Sequence, residues 1–214
     1  MDECRLNLCY FEELLSRINR RLAELRPPDW EDQVKDYPWL YGALGSVPAS
    51  VMFICENPSL KPMRSAHTID GRRPDIEAQW WGGENNPAAK RFRFVLHKSG
   101  LKTTPPSARA GWNCYITNVV KEANLASDQG ARNSVSRNEQ ARRWSDILAW
   151  ELSEVDPEHV FCVGGRSARA IKMLQREKHL PSFPVHKIWH YSARREDRLV
   201  REHMLDGILA VLRA

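Results

Sequence analysis

An α/β fold, three layers with helices on both faces of a central four-stranded parallel sheet, is the class this sequence predicts. Two observations carry that expectation. Four short runs read as strands: Val51-Met52-Phe53-Ile54-Cys55, Trp112 to Val119, His159-Val160-Phe161-Cys162-Val163 and Val185 to Trp189. The first is apolar throughout, as suits a strand buried on both faces of its pleat. Between the runs lie segments of helical character. Strands alternating with helices give parallel neighbours joined by right-handed crossovers.

The elements follow in order. Residues 2–26 read as a helix, with Leu6, Cys9, Leu14, Ile18, Leu22 and Leu25 recurring near the helical period. Pro27-Pro28 ends it, because the residue before a proline avoids the helical region. A second short helix is expected from about Trp30 to Leu44. Residues 1–48 are too few for a core of their own, so they are expected as a helical extension packed on the sheet, within one domain spanning residues 1–214. The first strand leads into Ser59 to Asn86, a polar segment rich in Arg, Gly and Pro; loops this long inside a domain are uncommon and often functional.

Asn86 suits the cap and Pro87 the first turn of a helix running to about Ser99 and displaying Lys90, Arg91, Arg93 and Lys98. After the second strand comes a polar loop from Lys121 to Val135. Ser136 and Glu139 then have capping-box spacing for a helix closed by Asp156-Pro157. Gly164-Gly165 turns out of the third strand, and Ser167 begins a helix to about His179. Pro184 precedes the last strand, and a final amphipathic helix covers about Asp197 to Arg213.

A net charge of +5 over 214 residues makes an anionic partner plausible without identifying it. No apolar stretch approaches the roughly 20 residues that cross a bilayer, so no membrane partner is expected. Asp2, Glu3, Arg5, Glu12, Glu13 and Arg17 do not resemble a signal peptide, and an intracellular, reduced protein is the expectation. Five cysteines, an odd number, do not read as a disulfide framework. Cys55, Cys114 and Cys162 fall in or beside strands, where a thiol acts as a small apolar side chain.

The polar tips of three strands carry the chemistry. Ligands of open parallel sheets bind beyond the carboxyl ends of the strands, and Glu56-Asn57-Pro58, Asn118 and His190-Tyr191-Ser192 all lie there. Singly, each has a plain alternative. Asn before Pro is a common turn former, a strand-ending Asn satisfies backbone groups, and a lone His is more often structural than catalytic. Their order and strand context favour one shared site.

Together, Cys55-Glu56-Asn57-Pro58-Ser59, Ile116-Thr117-Asn118-Val119-Val120-Lys121 and His190-Tyr191-Ser192-Ala193-Arg194 resemble the motifs of the uracil-DNA glycosylase superfamily. There a turn carries Asp or Asn before Pro, a second strand ends in a base-reading Asn, and a His-x-Ser loop completes the pocket. The resemblance runs from roughly Ser50 to the C-terminus and includes Val160 to Gly165, where many members have an apolar strand ending in Leu-Gly. Asn57 stands where the uracil enzymes carry Asp and where the mismatch-directed and single-strand-selective branches carry Asn. The iron–sulfur branches place Ala there, and the two Cys pairs that hold their cluster are missing. Two departures stand out: Cys55 replaces the usual Gly, and Tyr191 the usual Pro after His.

The resemblance implies hydrolysis of the bond between a damaged base and deoxyribose, on DNA, by a monomer without metal or organic cofactor. Asn57 and His190 are the implied catalytic residues: Asn57 holds a water by its carbonyl oxygen, and His190 donates to the O2 of the departing base. Asn118 reads the base edge with one donor and one acceptor. Glu56 and Pro58 shape the pocket, and Trp81, with Trp80 as its rival, provides an aromatic floor. Ser192 contacts phosphate and Arg194 wedges into the helix. Arg195, Lys121 and Arg166 join Arg64, Arg72, Arg73 and Arg169 as candidates to neutralise phosphates at the mouth. Uracil or a related deaminated base is the first expectation. Hypoxanthine, mismatched thymine or an oxidised pyrimidine, and a DNA-binding relative without turnover, remain alternatives.

Overall fold

The computed structural model describes residues 3–26, 43–57, 68–69, 73–74, 87–108, 110–122 and 136–214. Its elements, in chain order, are α1 (Glu3–Leu25), β1 (Leu44–Gly45), β2 (Val51–Cys55), β3 (Thr68–Ile69), β4 (Arg73–Pro74), α2 (Pro87–Lys98), β5 (Tyr115–Asn118), α3 (Arg137–Arg143), α4 (Ser145–Val155), β6 (His159–Val163), α5 (Gly165–Arg176), β7 (Val185–Ile188) and α6 (Asp197–Leu212). The main sheet has the order β1-β5-β2-β6-β7, and β3 and β4 pair as a small separate ribbon.

The four expected strands are all present and mutually parallel. Phe53 of β2 pairs with Ile116 of β5 on one side and Phe161 of β6 on the other, and Val163 of β6 pairs with Ile188 of β7. The sheet gains a fifth strand, however. Leu44, expected at the end of a helix, lies instead in β1, antiparallel to β5; the rest of that expected helix lies outside the described residues. Gly45 makes this pairing possible. Its φ is +124°, and a Cβ there would lie 1.9 Å from the Cys114 carbonyl oxygen, so only glycine allows the strands to approach. The second strand is also shorter than expected, because Trp112 bridges to Lys102 rather than joining the sheet.

Alternation along β2 divides the core in two. Met52 and Ile54 face α1, α4 and α5, meeting Leu14, Ile18, Leu148 and Ile171. Val51, Phe53 and Cys55 face α2 and α6, meeting Phe92, Leu96, Met204 and Ile208. This is the three-layer arrangement, with each face of the sheet covered by helices. On α1, Tyr10, Leu14 and Ile18 recur at four-residue intervals, and with Phe11 and Leu22 they form one buried stripe. Among the described residues, no helix is long and apolar enough to cross a membrane.

The helix expected from Ser136 to Val155 is two helices. The Ser136 side chain caps α3 by accepting from the Glu139 backbone N–H at 3.2 Å. The break comes at Trp144, which is fully buried, and Ser145 Oγ donates to the Arg142 carbonyl at 2.8 Å. A hydroxyl bonded to the backbone in this way competes with the helical ladder. Asp156 then ends α4 in the left-handed region, its N–H on the Leu152 carbonyl.

Candidate active site

Strand order alone brings the three tips to one edge. Cys55 and Asn118 are paired across β2 and β5. Past the strands, the Val119 N–H donates to the Cys55 carbonyl at 2.9 Å and the Val120 N–H to the Glu56 carbonyl at 3.0 Å. The first two motifs are thereby sewn together by backbone. On the other side, the Gly164 N–H that follows β6 donates to the Ile188 carbonyl at 2.9 Å. His190 comes two residues after β7. At about 4.8 Å per strand, β5 and β7 stand roughly 14 Å apart, a span that side chains from both ends can close around one base.

The His190 ring rests against the Gly164 turn. A Cβ at Gly164 would come within 3.2 Å of His190 Cβ and Cδ2, and Gly164 has φ +92°. Only a residue without a side chain fits beneath the ring. Its hydrogen bonds fix the tautomer. The Ser192 backbone N–H donates to His190 Nδ1 at 3.1 Å, and Ser192 Oγ lies 2.6 Å from the same nitrogen. Because Nδ1 accepts, the neutral ring carries its proton on Nε2. Burial pulls the imidazole pKa below its ordinary value of 6.5, against the pull of Glu56 and with help from Arg166. Ser192, expected on a phosphate, therefore also serves to orient His190.

The two departures from the family pattern meet each other. The Tyr191 hydroxyl hydrogen-bonds to the Cys55 thiol, whose pKa burial has pushed up to about 12. Tyr191 also stacks on Phe92 with ring centroids 5.2 Å apart, and its ring centroid is 4.3 Å from that of His190. Arg91 Nη1 donates to the Tyr191 carbonyl at 2.6 Å. The loop is thus held by packing around Tyr191, the position where the motif it resembles has Pro.

Beside Asn57 lies a cavity of about 110 Å³, lined by Glu56, Val119, Val120, Gln140 and Arg169 among others. Glu56 bridges two arginines, at 2.9 Å from Arg137 Nη1 and 3.3 Å from Arg166 Nη1. Arg166 therefore stands at the expected mouth, paired with a carboxylate. Arg194 and Arg195 are exposed on the loop after His190. Pro58, Trp81, Trp80, Arg64 and Arg72, and the side chain of Arg73, lie outside the described residues.

Lys121 is a correction. Expected among the phosphate contacts, it is fully buried and pairs with Glu151. All three protons of its ammonium are spent inside the protein, on Thr117 Oγ1, the Asn118 carbonyl and Glu151, so none is left for a phosphate. Burial lowers its pKa below the ordinary lysine value, and Glu151 opposes that shift. Glu151 was missed by sequence reading, although its spacing carried a signal. It falls three and four residues after Leu148 and Ile147, on the buried stripe of α4, where an acid needs a partner.

A family model described as the Uracil DNA glycosylase superfamily matches residues 43–212. No curated protein matches the chain at a significant level.

Proposed function

The chain belongs to the uracil-DNA glycosylase superfamily, and from that premise we propose that it hydrolyses the N-glycosidic bond of uracil, or of a related deaminated base, flipped out of DNA, so initiating base-excision repair. Membership supports a glycosylase-type activity with DNA as partner. The narrower reading rests chiefly on one observation: His190, its Nδ1 accepting from Ser192, stands on the same sheet edge as Asn57 and Asn118.

The bond breaks through an oxocarbenium-like sugar while negative charge gathers on the O2 of the base. A neutral His190 offers its Nε2–H to that oxygen, and a donor fixed in advance needs no reorganisation as the charge develops. Asn57 is an amide and no strong base. Its carbonyl oxygen holds a water against the sugar carbon, and its contribution is positional. The base must leave the stack to reach these groups. Asn118 offers an acceptor to its N3–H and a donor to its O4, a pattern that cytosine does not match.

Single-turnover assays on oligonucleotides carrying uracil, hypoxanthine, xanthine or mismatched thymine, read as abasic-site cleavage, test this reading. His190→Ala and Asn57→Ala are each expected to slow base release by about two orders of magnitude, with DNA affinity largely kept. Wild-type rates in both variants would remove these residues from the mechanism, and no release from any member of the panel would remove the activity.

A further inference from the structure

Directly behind Asn118 lies a buried polar network for which the proposed reaction has no use. Lys121 and Glu151 both have side chains 0% exposed. The Lys121 ammonium has three protons and three acceptors: the Asn118 carbonyl oxygen at 2.7 Å, Thr117 Oγ1 and Glu151 Oε2. Glu151 Oε1 in turn accepts from the Tyr115 hydroxyl at 2.6 Å and from Thr117 Oγ1 at 2.7 Å. Tyr10 of α1 closes the chain, its hydroxyl donating to that of Tyr115 at 2.8 Å. Every charged group in the network is satisfied.

Stability alone gives little reason for such a pair. Taking two charges out of water offsets most of their attraction, and apolar residues of similar volume commonly serve as well or better. What the pair does uniquely is hold one backbone carbonyl. The chain after Asn118 is already tied toward β2 through Val119 and Val120. Lys121 turns back to grip the carbonyl of Asn118 itself, whose side chain is 1% exposed. With the backbone fixed from both directions, the Cα–Cβ bond that carries the carboxamide is held in one place and direction.

We propose that Lys121 and Glu151 are positioning residues for Asn118, setting which base is accepted without touching DNA, and that Tyr10 links α1 to that setting. The inference rests on the base-reading role of Asn118. It also gives the N-terminal helix, which lies outside the matched residues 43–212, a part in the site.

The test compares wild type, Asn118→Ala and the double variant Lys121→Met/Glu151→Gln. In the double variant Gln still accepts from Tyr115 and Thr117, the charges are gone together, and the Asn118 carbonyl loses its donor. Melting temperature, amide exchange at Val119 and Val120, DNA affinity, and single-turnover rates across the base panel are measured for each. The expected result is a folded double variant with unchanged DNA affinity, about tenfold slower release of the preferred base, and a reduced preference over the other bases.

A folded double variant with wild-type rates and preference, beside an Asn118→Ala variant that has lost them, overturns the proposal. Wild-type behaviour of Asn118→Ala removes the base-reading role instead, and amide exchange then decides whether the pair holds the strand end. If the double variant does not fold, Tyr10→Phe decides: a twofold to threefold loss of preference in a stable chain is expected, and no change overturns the proposal.

Discussion

At the scale of single residues, the site depends on which nitrogen of His190 carries the proton. Ser192 decides that with two groups, a backbone N–H and a hydroxyl, both on Nδ1. Ser192→Ala keeps the first and removes the second. Base release is expected to slow about tenfold at saturating enzyme with little change in DNA affinity, since one orienting hydrogen bond is lost. A purely phosphate-binding serine would give the opposite split, weaker and salt-dependent binding with an unchanged rate.

Acid should act at the same residue. The folded state holds the His190 pKa below 6.5 by burial, so the unfolded chain binds protons more readily. The stabilising contribution of the neutral ring is present above about pH 6.5 and is lost as pH falls through the folded pKa. Protonation also sets Nδ1–H against the Ser192 N–H. Excision rates should fall over the same acidic range, and His190→Ala should lose that limb of the profile; an acidic limb unchanged in His190→Ala would contradict it.

At the scale of elements, α1 is bound to the molecule by its buried stripe. Leu14 is fully buried between α1 and the sheet, so Leu14→Ala should lower the unfolding free energy by about 2–5 kcal/mol in denaturant titration. A change under about 0.5 kcal/mol would mean that α1 is not part of the cooperative unit. Legibility also divides by element. Val51–Cys55 and His159–Val163 were readable to the residue, because each is bounded by polar or turn residues. The two residues of β1 were not, since two residues have no period. Nor was the break at Trp144, because the apolar spacing continues across it. That the three candidate motifs share one edge was legible because each sits at the end of a parallel strand. Lys121 was not: after a strand, a lysine reads as a loop charge, and its burial is decided by Glu151 on a helix thirty positions further along.

At the scale of the whole molecule, charge at the mouth matters more than the net +5. Glu56 holds Arg137 and Arg166, both exposed, in ion pairs. Exposed pairs of this kind contribute little to stability, but they lower the positive field that a phosphate meets. Glu56→Gln should therefore tighten DNA binding at low salt and steepen the slope of log affinity against log salt by about one to two units, as the two arginines become free to displace counterions. Fluorescence anisotropy over a salt series measures it. An unchanged slope would mean that neither arginine reaches the backbone.

Among the described residues, three buried thiols turn the sheet into its own clock. Cys55 and Cys162 lie within β2 and β6, Cys114 sits just before β5, and burial raises the pKa of each well above that of a free thiol. A thiol that is neither ionised nor reachable reacts with an alkylating reagent only when its surroundings open. Cys9, on the outer side of α1, is exposed. A brief pulse of reagent should mark Cys9 at once and Cys55, Cys114 and Cys162 at the pace of local opening. The order in which Cys55, Cys114 and Cys162 are marked would then reveal whether the edge that carries the candidate site opens before the centre of the sheet, with no probe added to the chain.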